Sequence, residues 1–238
     1  MRHDVRPAVR GLLLAGAAAW GLALWRLSGD VERRRRYWEQ ADGTPDGLLY
    51  VALGDSAAQG VGASSPSTSY VAVLAGRLGR RTGRPVRVVN LSVSGAKVAD
   101  VVRDQLPRLA ALDADVVTVA VGGNDVPSYD PVRFRRDVEA LLAGLPPHAV
   151  VADVPFFGGG RGERRALEAA THLAGAARAR GLRVAALHER MAARGWRGMV
   201  TGYAADRFHP NDRGYRVWAD AFWDALAPDG QPVGSISK

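Results

Sequence analysis

The chain alternates between short apolar runs and longer stretches in which apolar residues recur every three or four positions. The apolar runs are typical of strands that are buried on both faces of a sheet; they lie at 48–53, 86–91, 116–121, 149–154 and 182–187. The longer stretches predict helices at 69–82, 98–111, 131–143, 163–180 and 212–226. Because strands and helices alternate, the pattern predicts an α/β fold, with a parallel sheet and helices on both sides.

The N-terminal segment has a different pattern. Residues 11–27, GLLLAGAAAWGLALWRL, carry no charge before residue 26 and follow three arginines. We expect an uncleaved transmembrane anchor helix here, with the side of the membrane that holds the rest of the chain left open. The alternatives are a signal peptide that is cleaved, which would make the protein secreted, and an amphipathic or buried helix. The basic run at 33–36 could lie on anionic lipid or form a solvated helix beside the membrane.

Breaker residues divide the chain. The cluster ADGTPDG predicts a linker at 41–46, after an anchor or signal region with its basic stretch at 1–40. Residues 47–228 are long enough for one domain with a full hydrophobic core. The last residues, 229–238, are predicted to be a disordered tail.

Charge and composition exclude several classes of protein. The net charge is +8, from 32 basic and 24 acidic residues, and half of the excess lies in the first 40 residues. The main body is therefore only mildly basic, and we predict no nucleic-acid partner. The absence of cysteine excludes disulfides, thiolate metal sites and cysteine nucleophiles. The histidines show no zinc-binding spacing and no phosphate-binding glycine loop occurs, so we predict neither a metal nor a cofactor.

The turns that follow the predicted strands contain chemically useful residues. Ligands of open α/β sheets bind beyond the carboxyl ends of the strands. The four relevant segments are GDS at 54–56, NLSVSG at 90–95, GGND at 122–125 and DRFHP at 206–210. Each segment alone has a structural explanation, such as a helix cap, a polar turn or a glycine-rich loop.

Together these segments contain the groups that ester cleavage needs. Ser56 can act as the nucleophile and His209 as its base. Asp206, three residues before His209, can hold the second ring nitrogen. The backbone N–H groups of Ser56 and Gly95 and the side-chain amide of Asn124 can stabilise an oxyanion.

The four segments resemble those of the GDSL or SGNH hydrolase superfamily of esterases and lipases. The family letters match Ser56, Gly95, Asn124 and His209 in order, and the resemblance extends over about residues 47–227. The first segment reads GDSAAQG where the family name has GDSL, which leaves the serine in place. The pattern is most similar to bacterial esterases and to lysophospholipase- or thioesterase-like members.

The resemblance implies a fold and a mechanism. The fold is a three-layer α/β/α sandwich with a central, mostly parallel five-stranded sheet, the flavodoxin-like SGNH hydrolase fold. The mechanism uses Ser56, Asp206 and His209, with an oxyanion hole from Ser56, Gly95 and Asn124.

We therefore expect a serine hydrolase that acts on carboxylic esters, including lysophospholipids or thioesters, as a monomer that binds a small acyl ester or lipid. Two alternatives stay open. An acyltransferase would use the same acyl-enzyme and pass the acyl group to an alcohol. A membrane-tethered lipid-binding protein without enzymatic activity would not need the four segments together. The motifs do not define the natural substrate or its acyl-chain length.

Overall fold

The central layer is a sheet of five parallel strands in the order β2-β1-β3-β4-β5. The computed structural model describes residues 29–39 and 47–227. The strands are β1 (Leu48–Gly54), β2 (Val86–Asn90), β3 (Val116–Ala120), β4 (Val150–Ala152) and β5 (Arg183–Ala185). The five predicted strands and their parallel arrangement are confirmed, although β4 and β5 are shorter than the apolar runs that predicted them.

Helices flank the sheet on both faces. The helix that occupies residues 29–39 is α1; the others are α2 (Ser56–Gln59), α3 (Tyr70–Thr82), α4 (Val98–Asp100), α5 (Leu106–Leu109), α6 (Pro131–Ala143), α7 (Gly160–Ala179), α8 (Leu187–Ala192), α9 (Gly195–Thr201) and α10 (Asp212–Leu226). Short 3₁₀ helices occupy Pro66–Thr68 and Gly123–Ser128. The helices predicted at 69–82, 131–143, 163–180 and 212–226 are present within a few residues of their predicted ends. The segments α8 and α9 were not predicted.

The helix predicted at 98–111 is divided by a π-helical turn at Val101–Gln105, which joins α4 to α5. Pro107 lies just beyond this turn and lacks the N–H that a regular helix would use. The wider turn includes Gln105, which is fully buried. Its side chain donates to the carbonyl of Gly54 and accepts from the Gly54 N–H, at 2.8 and 2.9 Å. The π turn thereby fixes the end of β1, from which the candidate nucleophile follows.

Strand β1 is buried along its whole length and contributes to two cores. Leu49, Val51 and Leu53 pack in the core beneath α4, α6 and α7. The intervening residues, among them Leu48 and Tyr50, pack in the core beneath α3 and α10. Both sheet faces are covered, which explains why the strand is apolar throughout and does not alternate.

Helix α1 packs on the body of the protein. Trp38 is 8% exposed, and its ring N–H donates to the carbonyl of Gln59 at 3.1 Å. Arg34 is 2% exposed and bonds to the carbonyl of Ala63 and to Asp30, at 2.5 and 2.7 Å. The other three arginines of the basic run are exposed, as a solvated or lipid-contacting helix would require. The segment from 29 to 39 therefore adds two anchoring side chains to the fold near α2.

Within residues 29–39 and 47–227, no helix has the length and apolar character needed to cross a bilayer. The anchor or signal segment predicted at 11–27 lies outside the described residues. The same holds for the predicted linker at 41–46 and for the tail at 229–238.

The packing of α1 predicts unequal effects at two neighbouring aromatic residues. Trp38→Ala should lower the free energy of unfolding by about 3 to 5 kcal/mol, because it empties a buried indole site. Tyr37→Ala should change it by less than about 0.5 kcal/mol, because Tyr37 is 39% exposed. Denaturant unfolding of the two variants and the wild type measures both values. Equal, small effects would contradict the packing of α1 on the body.

Candidate active site

A sharp turn places Ser56 at the carboxyl end of β1. Gly54 has φ +144°, and a Cβ at this position would overlap the carbonyl oxygen of Ala120 on β3. The side chain of Asp55 caps α2 by accepting from the N–H of Ala57 at 2.9 Å. Capping is thus done by Asp55, and Ser56 becomes the first residue of α2 with its hydroxyl available for other partners.

The structure brings the three predicted catalytic side chains together. The Oγ of Ser56 lies 2.8 Å from Nε2 of His209, although the two residues are 153 positions apart. The Nδ1 of His209 lies 2.6 Å from one carboxylate oxygen of Asp206. The other oxygen of Asp206 accepts from the N–H groups of Phe208 and His209, at 2.9 and 3.0 Å. This chain of hydrogen bonds can move a proton from the hydroxyl to the imidazole.

The environment of Asp206 keeps its carboxylate charged. Partial burial by itself would raise the pKa of Asp206, but hydrogen bonds from the His209 ring and from two backbone N–H groups outweigh it and lower the pKa to about 2. A carboxylate that stays ionised near neutral pH can stabilise a positively charged imidazole beside it.

The loop that carries His209 rests on the turn that follows α2. Gly62, with φ +92°, approaches this loop so closely that a Cβ would lie 2.6 Å from the carbonyl oxygen of Pro210 and 2.8 Å from the Cβ of His209. Only glycine combines this backbone conformation with this contact. The distance between Ser56 and His209 therefore depends on a glycine six residues after the serine.

Side chains of α10 fasten the same turn. The hydroxyl of Tyr215, which is fully buried, donates to the carbonyl of Val61 at 2.6 Å. The carboxylate of Asp212 accepts from the N–H and the hydroxyl of Ser64, at 2.7 and 2.6 Å. These supporting residues could not be predicted from the sequence, because nothing in their local pattern links them to a turn about 150 positions earlier.

The predicted oxyanion residues lie on turns beside the nucleophile. Gly95, with φ +83°, is in the turn after β2. Asn124 is in the 3₁₀ helix after β3; its amide donates to the carbonyl of Ala96 at 3.0 Å and lies 3.4 Å from Oδ2 of Asp55. No hydrogen bond among the described residues joins Gly95 or Asn124 to Ser56. Their joint action as oxyanion donors stays a prediction.

Asp55 is a buried acid next to the nucleophile. Burial raises its pKa from 3.8 to about 6, against the opposing effects of the hydrogen bond from Ala57 and the nearby His209. The side chain is 7% exposed. The folded protein therefore binds a proton at Asp55 more tightly than the unfolded chain does.

A cleft with about 80 Å³ of internal space, partly open to solvent, adjoins Ser56 and His209. Its walls are mostly apolar and come from the loop after β4, from α9, from the His209 loop and from α10; they include Pro155, Phe156, Phe157, Met199, Phe208 and Trp218. A concave, mostly apolar surface with a few polar groups is typical of a small-molecule site. Within the described part of the chain, no group of three or more His, Asp or Glu side chains could hold a metal ion.

Most of this cleft was not predicted from the sequence. Helix α7 begins at Gly160, three residues before the predicted helix at 163–180, so that only 153–159 connects β4 to α7. The available signal was the pair Phe156–Phe157, because two aromatic residues directly after a buried strand are unusual for a solvated loop.

Comparison with known proteins places these observations in context. A model of the GDSL-like lipase/acylhydrolase family matches residues 52–217. No curated protein sequence matches this chain.

Solved structures with the same fold include TesA, at 23% identity over 76% of this chain and 99% of that chain, with a TM-score of 0.63. A variant of Axe2, an acetyl xylan esterase from Geobacillus stearothermophilus, is 21% identical over 75% and 94% of the two chains, with a TM-score of 0.62. The lipase Lip_vut3 from a goat rumen metagenome is 18% identical over 77% and 100%, with a TM-score of 0.63. At these identities the likeness shows the fold alone.

The contact at Gly62 predicts a selective loss of activity. Gly62→Ala should displace the His209 loop and lower kcat about 10²-fold, since an error of about 1 Å in a catalytic group has such an effect. Gly181→Ala is the matched control, because Gly181 also has positive φ (+72°) but has open space around its Cβ position. The control should lose about 1 kcal/mol of stability and keep its kcat. Equal kcat values in the two folded variants would contradict the role of Gly62.

The buried carboxyl of Asp55 predicts a pH-dependent stability. A raised pKa in the folded state means that ionisation opposes folding, so stability is greatest below the unfolded pKa and falls as pH rises through the folded value. Relative to Asp55→Asn, the wild type should lose on the order of 3 kcal/mol between about pH 4 and pH 7. Denaturant unfolding at several pH values measures this difference. Parallel stability curves for the two proteins would contradict it.

Proposed function

Because the chain belongs to the GDSL-like lipase/acylhydrolase family, we propose that it is a serine hydrolase that cleaves carboxylic esters through an acyl-enzyme on Ser56. The observation that carries this proposal is the hydrogen-bonded chain from Ser56 through His209 to Asp206. It contains a nucleophile, its base and the group that orients the base, within hydrogen-bond reach.

The proposed reaction follows from the order of donors and acceptors in this series of hydrogen bonds. Nε2 of His209 takes the proton as Oγ of Ser56 attacks the ester carbonyl, which forms a tetrahedral intermediate. The intermediate collapses, its bond to the alcohol oxygen breaks, and the alcohol leaves with the proton that His209 held. A water molecule then attacks the acyl-enzyme with His209 again as base, and the carboxylic acid and free Ser56 result.

The developing oxyanion needs hydrogen-bond donors. Within the described residues, the N–H groups of Ser56 and Gly95 donate to no other group, so both are free for this role. Asn124 would exchange its long 3.4 Å contact with Asp55 for a bond to the oxyanion. This exchange becomes favourable as negative charge develops on the substrate oxygen.

The apolar cleft beside Ser56 favours an ester with a hydrocarbon acyl group. Polar atoms are few along the walls formed by Phe156, Phe157 and Met199, so a carbohydrate would find little to bind there. Acyl transfer to an alcohol stays the second candidate, because the same acyl-enzyme serves both reactions. A lipid-binding protein without activity would not need the aligned hydrogen bonds of Ser56 and His209.

We also propose that residues 11–27 attach the protein to a membrane, with secretion after cleavage as the alternative. The support is the uncharged run and the arginines on both sides of it. The described part of helix α1, from residue 29 onward, packs on the body and would hold it close to such an anchor.

An active-site probe tests the proposed function. A fluorophosphonate should label the wild type and Ser94→Ala, but not Ser56→Ala, because Ser56, unlike Ser94, has a base beside it. Hydrolysis of p-nitrophenyl butyrate should fall roughly 10⁶-fold in Ser56→Ala and stay unchanged in Ser94→Ala. Labelling of Ser56→Ala to the level of the wild type would overturn the assignment. Product analysis with and without an added alcohol distinguishes hydrolysis from acyl transfer.

A further inference from the structure

A second histidine–carboxylate pair lies behind the wall of the cleft and takes no part in the chemistry above. His188 is in the first turn of α8 and Glu163 in the first turn of α7. The Nε2 of His188 lies 3.0 Å from one carboxylate oxygen of Glu163, and both side chains are largely buried. The Nδ1 of His188 lies 3.0 Å from the carbonyl oxygen of Val154.

Both ring nitrogens of His188 therefore contact hydrogen-bond acceptors, one a carbonyl oxygen and the other a carboxylate oxygen. The other charged groups nearby are Asp153, whose carboxylate accepts from the backbone N–H of His188 at 2.8 Å, and Arg178 of α7, whose charge acts on Asp153.

The pair contacts the loop that forms the cleft wall through a hydrogen bond and a ring contact. The second carboxylate oxygen of Glu163 accepts from the N–H of Phe157 at 2.6 Å. The ring of Phe156 packs edge-on against the His188 ring, with 5.8 Å between centroids. The same loop is held from the other side by Tyr203, whose hydroxyl donates to the carbonyl of Phe156 at 3.1 Å.

We propose that Glu163 and His188 are positioning residues that set the acyl-chain preference of the enzyme, by holding Phe156 and Phe157 as a rigid wall of the cleft. The proposal rests on the proposed function, because it gives the cleft the role of acyl site. Buried hydrogen-bonded groups hold one another in a fixed geometry, because leaving either partner unpaired is costly. The hydrogen bonds of this pair end on the loop backbone, where a fixed geometry matters to a ligand.

One substitution of Glu163 can keep the hydrogen bonds of the pair, and another removes them. In Glu163→Gln, the amide oxygen can accept from the Phe157 N–H while the amide nitrogen donates to a neutral His188. The loop is then held as in the wild type. In Glu163→Ala both hydrogen bonds are lost. Glu168→Ala is the control, since Glu168 lies on the same helix, has a half-exposed side chain and faces Arg135.

The experiment compares these variants of the full chain on p-nitrophenyl acetate and p-nitrophenyl octanoate. Glu163→Ala should raise KM for the octanoate about tenfold, the scale of effects in apolar pockets, and leave acetate hydrolysis unchanged. Glu168→Ala should match the wild type. Glu163→Gln should keep the wild-type preference, because its amide group can make both hydrogen bonds.

Calorimetry of octanoate binding separates this proposal from the proposed function, because it needs no turnover. Weaker binding of octanoate to Glu163→Ala than to the wild type and Glu168→Ala supports the positioning role, even if no ester is hydrolysed. Equal binding to all three proteins, or no binding to the wild type, overturns it. If Glu163→Ala does not fold, His188→Ala takes its place, because it removes the ring that packs against Phe156 and the partner of one Glu163 oxygen. Weaker octanoate binding to His188→Ala than to the wild type then supports the proposal, and equal binding overturns it.

Discussion

The candidate site depends on the contact between the turn at 60–64 and the segment at 202–215. The two segments are about 150 residues apart; the first begins four residues after the candidate nucleophile Ser56, and the second contains the candidate base His209. Three features hold them together: the bare backbone of Gly62 under the His209 loop, the buried hydroxyl of Tyr215 on Val61, and the carboxylate of Asp212 on Ser64. A buried hydrogen bond is costly to break, because its donor and acceptor are then left with neither a protein partner nor water. The 2.8 Å distance from Ser56 to His209 is therefore a consequence of this packing.

The strand order supplies the rest of the site. Because β1 lies between β2 and β3, the turns after these three strands are neighbours at one edge of the sheet. Ser56, Gly95 and Asn124 follow β1, β2 and β3 respectively. A parallel sheet brings such turns together at its carboxyl edge whatever their distance along the chain. The three predicted oxyanion residues are therefore neighbours at this edge although they are far apart in the sequence.

The sequence predicts a feature correctly where the residue types and their local spacing both point to it. The strands could be predicted because a sheet that is covered on both faces needs continuous apolar runs. Asp206 and His209 could be paired because they are three residues apart in one loop. Helices α8 and α9 were missed, since they are short and rich in glycine and arginine. The burial of Arg34 and Trp38 was also missed, because two residues at helical spacing within a basic run do not indicate which surface receives them. Glu163 and His188 meet only through the tertiary fold.

The two histidine–carboxylate pairs of this protein differ in the group that contacts the ring nitrogen not bound to the carboxylate. In His209 this nitrogen contacts the hydroxyl of Ser56, a group that can give up a proton, while Asp206 contacts the other nitrogen. In His188 one nitrogen faces a carbonyl oxygen and the other a carboxylate, and neither group is a hydroxyl that the ring could deprotonate. The same pair of residue types can therefore serve catalysis in one place and hold geometry in the other. The third partner, a hydroxyl or a carbonyl, decides which histidine can serve as a base.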